Sequence, residues 1–189
     1  MARLPYVDPA TAPDDIREIL EGMPVKLGVF RMMAHAESSF RSLMRLGRDI
    51  LGRQQLSAKL RELAILRVAN RSNARYEWVQ HVPIAKGAGG SDAQVAALDR
   101  GDATASCFDA REQLLLRFTD ELIDKVKVTD ATFAAAQQEF SSREIVEIIL
   151  AVGYYMLIAR LLETTAVDLE ADAGTKIVDA LKRTVSGES

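Results

Sequence analysis

Glu62, Glu77 and His81 are the residues whose types and spacing best suit proton transfer in this chain of 189 residues. They fall within ELAILRVANRSNARYEWVQH, which reads as two helices meeting at a polar break, Asn70-Arg71-Ser72-Asn73. If that break is the turn of a helical hairpin, Glu62 lies as far before its midpoint as His81 lies after it. Antiparallel packing then brings the two to the same height. Glu77 precedes His81 by four residues and shares its helix face. An imidazole titrates near neutral pH, at about 6.5, and a buried carboxyl can be raised toward that range, so the trio is suited to general acid–base work. Tyr76 offers a further hydrogen-bond donor, and Trp78 an apolar wall or a core anchor.

The same residues also fit a purely structural arrangement. Glu77 can pair with His81 or Arg75, and Glu62 with Arg61 or Arg67, as ordinary helix-face ion pairs. A metal site is less well supported: no second histidine stands at ligand spacing, and no Glu-x-x-His pair occurs. No metal and no cofactor is expected. The glycine-rich phosphate loops and the GxSxG nucleophile elbow are absent from the sequence. The single cysteine, Cys107, allows no intramolecular disulfide and no CxxC pair, and it lies in a loop with no histidine near it in sequence.

The elements that must position these residues are helical throughout. Residues 1–24 read as a proline-rich arm followed by a short helix, Asp14–Glu21, with two aspartates in its first turn. Residues 25–165 form the core of a single domain. Its first part, Val25–Leu51, is amphipathic and Met-rich, with Ser38 as a cap between two helices and His35 in a structural role. Ser57 caps the helix that carries Glu62, and the next helix, Ala74–Lys86, contains Pro83 and is expected to kink after His81. Capping boxes at Ser91, Asp109 and Ser141 start three further helices, and Asp130 caps Ala131–Phe140. Residues 166–189 read as a polar tail with one weakly amphipathic set, Ile177, Val178 and Leu181. No segment alternates like a strand, so the fold class is all-α.

Composition narrows the function classes. Lys and Arg total 24 against 27 Asp and Glu, a formal charge of −3, which argues against a nucleic-acid-coating protein. A hydrophobic share of 48% with 27% charged residues is that of a soluble domain. The N-terminal residues lack the apolar stretch of a signal peptide, and the apolar run Ile148–Ala159, about 12 residues, is short for a membrane span. A cytoplasmic protein acting on a small molecule, without membrane or nucleic-acid partners, is expected.

LRELAILRVANRSNARYEWVQHVPIAKGAG, with FRMMAHAESSFRSLMRLGRDIL before it and REIVEIILAVGYYMLIARLL after it, resembles the carboxymuconolactone decarboxylase family. That family includes the alkyl-hydroperoxidase D proteins. The resemblance implies an all-helical fold around a hairpin, assembled as homotrimers or hexamers. In the peroxidase branch two cysteines flank a histidine; here Ala74 and Glu77 stand at the cysteine places and Tyr76 at the histidine place. The resemblance is thus to a branch without the redox pair, and thiol peroxidase chemistry through that pair is not expected. The decarboxylase branch implies roles instead: Glu77 and His81 handle a proton, Glu62 orients His81, and Tyr76 hydrogen-bonds substrate. Arg67, Arg71 or Arg75 would hold a substrate carboxylate, with Trp78 beside them. Two alternatives stay open: an antioxidant protein using Cys107 or an outside thiol, and a non-catalytic helical oligomer.

Overall fold

A computed structural model describes the backbone of residues 1–186 and the side chains through Ala180. Among the described residues there are ten α-helices and no strand. They are α1 (Asp14–Gly22), α2 (Gly28–Met33), α3 (Glu37–Arg53), α4 (Ala58–Arg71), α5 (Arg75–Gly87), α6 (Asp92–Asp99), α7 (Ala110–Lys125), α8 (Asp130–Glu139), α9 (Ser142–Thr165) and α10 (Gly174–Ser186).

The centre of the bundle is α4. Every residue from Leu60 to Ala69 is buried, because α5, α7 and α9 enclose the helix. Its apolar circumference leaves no face suited to water. The Ser57 hydroxyl caps it by accepting from Leu60 N–H. At its other end Asn73 adopts a left-handed conformation, φ 51°. Ala74 N–H then returns to the carbonyl of Ala69 (2.9 Å) and Asn73 N–H to that of Asn70 (3.1 Å). This double closure satisfies two orphan carbonyls and reverses the chain into α5. The polar break in the sequence is therefore the turn of the hairpin. Pro83 sits within α5, which runs on to Gly87.

The three capping boxes at Ser91, Asp109 and Ser141 are all formed. Two expected caps are displaced. α3 begins at Glu37, with Ala36 in the cap position, so Ser38 lies inside its first turn. Thr129, not Asp130, caps α8, because its hydroxyl accepts from Thr132 N–H while Asp130 takes the first helical position. Asp130 there meets the positive end of the helix dipole instead.

The N-terminal arm is tied to the core and to the segment after α9. Arg3 N–H donates to Thr165 O at 2.8 Å, and the Tyr6 hydroxyl donates to Asp168 Oδ2 at 3.1 Å. His35 donates from Nε2 to the carbonyl of Pro5 at 2.7 Å, the structural role expected of it. The segment read as a polar tail also folds. α10 packs on α5 and α3, with Ala173 and Val178 buried. Ile177 packs against the smaller of two apolar clusters, while the side chain of Leu181 lies outside the described residues. By length and composition α9 is apolar enough to cross a membrane, but half of its most apolar window is buried in the bundle.

Candidate active site

The hairpin brings Glu62 and His81 into contact. Glu62 is wholly buried, and its Oε2 lies 2.8 Å from His81 Nδ1. Arg61 Nε–H donates to Oε1 of the same carboxylate at 3.1 Å. With one oxygen accepting from the guanidinium, the carboxylate accepts from the imidazole too, and the proton sits on Nδ1. Nε2 is thereby left as the free basic position, and it has no hydrogen-bond partner among the described residues. The ring is held from the side by an edge contact with Tyr155, centroids 4.8 Å apart at 86°.

Glu77 is a different kind of carboxyl. It is 2% exposed, and neither of its oxygens has a hydrogen-bond partner. Burial pushes its pKa well above the ordinary carboxylate value of 4.5, and the charges of Glu163 and Glu62 push in the same direction. A buried carboxylate without partners is costly, so burial favours the neutral acid. It forms no pair with Arg75 or with His81.

Glu77, His81 and Tyr76 line one cavity of about 650 Å³, walled by α3, α5, α9 and α10 and by α1, α2 and their connection. That size suits a small organic molecule. The remaining lining is mainly apolar, with the Tyr154 hydroxyl among the exceptions. Tyr154 donates to Leu43 O at 3.2 Å, and burial, followed by the nearby Glu77, pushes its pKa up to about 12. Tyr76 is also engaged: its hydroxyl donates to Glu170 Oε2 at 2.5 Å, and burial and that carboxylate raise its pKa. Glu170 accepts from Gly28 N–H as well, at 2.8 Å. Gln80 closes the same edge, donating to Ala171 O (3.0 Å) and accepting from Ala173 N–H (2.9 Å).

The residues expected to hold substrate stand elsewhere. Arg67 is buried in a two-pronged pair with Asp120, at 2.7 and 2.9 Å, and also donates to Gly101 O. Arg71 pairs with Asp124. Arg75 is exposed, and Trp78 packs in the larger core cluster. None of the four lines the cavity. Three arginines of α3 do: Arg41, Arg45 and Arg48. Their spacing on one helix face was visible in the sequence, but nothing there showed that this face borders a cavity. No thiol lines it among the described residues; Cys107 is half-buried against the larger core cluster.

Residues 37–121, which run from α3 into α7 and include Glu62, Glu77 and His81, match the carboxymuconolactone decarboxylase family. The match spans the central segment of the chain. No curated protein sequence matches the chain. Among solved structures, an uncharacterised peroxidase-related protein with an alkylhydroperoxidase core from Ralstonia eutropha is similar, with a TM-score of 0.76 at 20% identity. The alignment covers 96% of this chain and 95% of that one. An uncharacterised peroxidase-related protein from a Silicibacter species gives 0.75 at 21% identity, covering 90% and 92%. A protein of unknown function from Agrobacterium tumefaciens, described there as a candidate for antioxidant defence, gives 0.66 at 20%, covering 74% and 96%. At these identities the likeness is one of fold: the all-α, alkyl-hydroperoxidase D-like bundle is common to all of them. With a single cysteine the chain has no CxxC pair.

Proposed function

We propose that the protein is a cofactor-free acid–base catalyst of the carboxy-lyase kind, acting on a small organic carboxylate. The observation that carries this reading is Glu77, an acid kept neutral in the cavity wall with both oxygens unpartnered, one turn from a histidine whose tautomer is fixed. A carboxyl held protonated by its surroundings is a proton donor at neutral pH, and donors and bases pushed to different protonation states divide the two roles. In the reaction, the substrate's C–COO⁻ bond breaks and its electron pair stays on carbon as CO2 leaves. The Glu77 carboxyl gives that carbon its proton, forming a C–H bond. His81 Nε2 then relays a proton from solvent to restore the acid. Glu62 orients the imidazole, and Tyr76 orders the wall through Glu170.

The test measures CO2 release and solvent-deuterium incorporation from a panel of small lactone and unsaturated carboxylates. Glu77→Gln and His81→Ala should each abolish both signals, with melting behaviour showing that the variants fold. If both variants turn over like wild type, the reading fails. Thiol-dependent peroxide consumption that Cys107→Ser removes would favour the antioxidant alternative. Equal consumption without any added thiol partner would not, since Cys107 has no second cysteine to resolve it.

Assembly into a homo-oligomer is part of the proposal. Val146, Ile149, Leu150 and Leu157 recur along one face of α9 and are 41–54% exposed. A stripe of this length on the most apolar helix supports burial against another copy.

A further inference from the structure

The cavity is asymmetric in a way that describes its occupant. Its floor is closed: Glu77 is 2% and His81 8% exposed. Its mouth is formed on one side by Arg41, Arg45 and Arg48, at i, i+4 and i+7 on α3, whose side chains are 60%, 75% and 47% exposed. Between them the wall is apolar, including Met33, Met44, Leu51, Ile158 and Leu162.

The three guanidinium groups are held only in long, exposed ion pairs. The nearest carboxylates are Glu18, 3.9 Å from Arg41, and Asp49, 3.9 Å from Arg45 and 3.7 Å from Arg48. These separations are beyond hydrogen-bonding distance, and Asp49 is shared with Arg53 as well. Glu77 is the one acidic residue lining the cavity among the described residues. Arginine forks at a mouth of this kind bind planar carboxylates in pairs of parallel hydrogen bonds.

We propose that α3 carries the substrate-anchoring site, and that the substrate is an amphiphilic anion. Its carboxylate head lies at Arg41, Arg45 and Arg48, its aliphatic or aromatic body fills the apolar wall, and its reacting group reaches Glu77 and His81 at the floor. This deepens the acid–base reading and rests on it for the reacting end alone. It moves carboxylate recognition from the helix hairpin, where Arg67 and Arg71 are held by aspartates, to a helix on the opposite wall.

Binding of octanoate and of 1-octanol, followed by titration calorimetry on the full chain, tests the head group without any need for turnover. Octanoate is expected to bind at least about tenfold more tightly than the alcohol. The triple variant Arg41→Gln/Arg45→Gln/Arg48→Gln should lose that preference while its affinity for 1-octanol is unchanged. The single variant Arg48→Gln, a milder change, should lose part of it. Equal binding of the two probes by wild type, no binding of either, or an undiminished octanoate preference in the triple variant each overturns the proposal. If carboxylate preference is found but no turnover depends on Glu77, the anchoring site stands and the acid–base reading falls.

Discussion

A buried carboxyl with no hydrogen-bond partner opposes folding, and Glu77 is where the chain carries that burden. In the unfolded chain the group releases its proton near 4.5; in the fold it keeps it to a much higher pH. Between those two values the native state binds one more proton than the unfolded state, so stability falls as pH rises through the window. Glu77→Leu should therefore be more stable than wild type at pH 8 by about 1–3 kcal/mol, with a smaller gain at pH 4. Denaturant titrations at the two pH values check this; a gain that shrinks as pH rises would contradict it. The Glu62–His81 contact was legible in sequence, because the turn could be placed from its polar residues and the two positions are symmetric about it. Glu77's isolation was not, since helix spacing alone offered it His81 and Arg75 as partners. What withholds them is packing around the site, which a periodicity does not encode. Arg67 was misleading for the same reason: its bond to Asp120 joins residues on α4 and α7 that only the bundle brings together.

Among the elements, helix ends were the most legible feature, because a capping box is a local pattern with a local cause. The two displaced caps differ from expectation by one or two residues, and only in α8 does a neighbouring side chain, that of Thr129, complete the cap. One terminus is strained. Val126, 88% exposed, closes α7 in the left-handed region at φ 66°, which a β-branched residue adopts at a cost. Val126→Gly should raise stability by about 1 kcal/mol, read from the midpoint of a thermal or denaturant melt. At the start of α10 the constraint is steric instead. A side chain at Gly174 would overlap the carbonyl oxygen of Gln80 and come within 2.8 Å of Ile84 Cδ1. Gly174→Ala should loosen α10 from α5, seen as faster proteolysis after residue 170 with the rest of the bundle intact. Sequence reading treated this segment as a tail because its apolar set is short, and the Gln80 bonds to Ala171 O and Ala173 N–H that dock it join residues far apart in sequence.

On the scale of the whole molecule, the fold class was legible and the cavity was not. Helical periodicity, one buried hairpin and the absence of alternating segments suffice for an all-α bundle. A cavity, however, is a property of five separate pieces of chain, and the α3 arginines acquire a role only where those pieces meet. The apolar face of α9 belongs to this scale too. If it is an interface, light scattering coupled to size exclusion should give a multiple of the monomer mass. Leu150→Glu should shift the protein toward the monomer without lowering its helix content. A wild-type mass equal to one chain at all concentrations would leave that face without a partner copy.

The ties between the first residues and the segment after α9 have one more consequence. Arg3 and Tyr6 hold residues 165–168, and only a few positions further on Glu170, Ala171 and Ala173 fasten the edge of the cavity to Tyr76 and Gln80. The N-terminal arm and the segment after α9 should therefore open as one cooperative unit, lying outside the densely buried α4–α5 hairpin. In amide hydrogen exchange, Arg3, Gly28 and Ala173 should exchange with a common, modest protection, while α4 exchanges only by global unfolding. Deleting residues 1–7 should then raise exchange at Ala173 and Gly28 together. Access to the cavity would be governed by a stretch of chain that contributes no group to its chemistry.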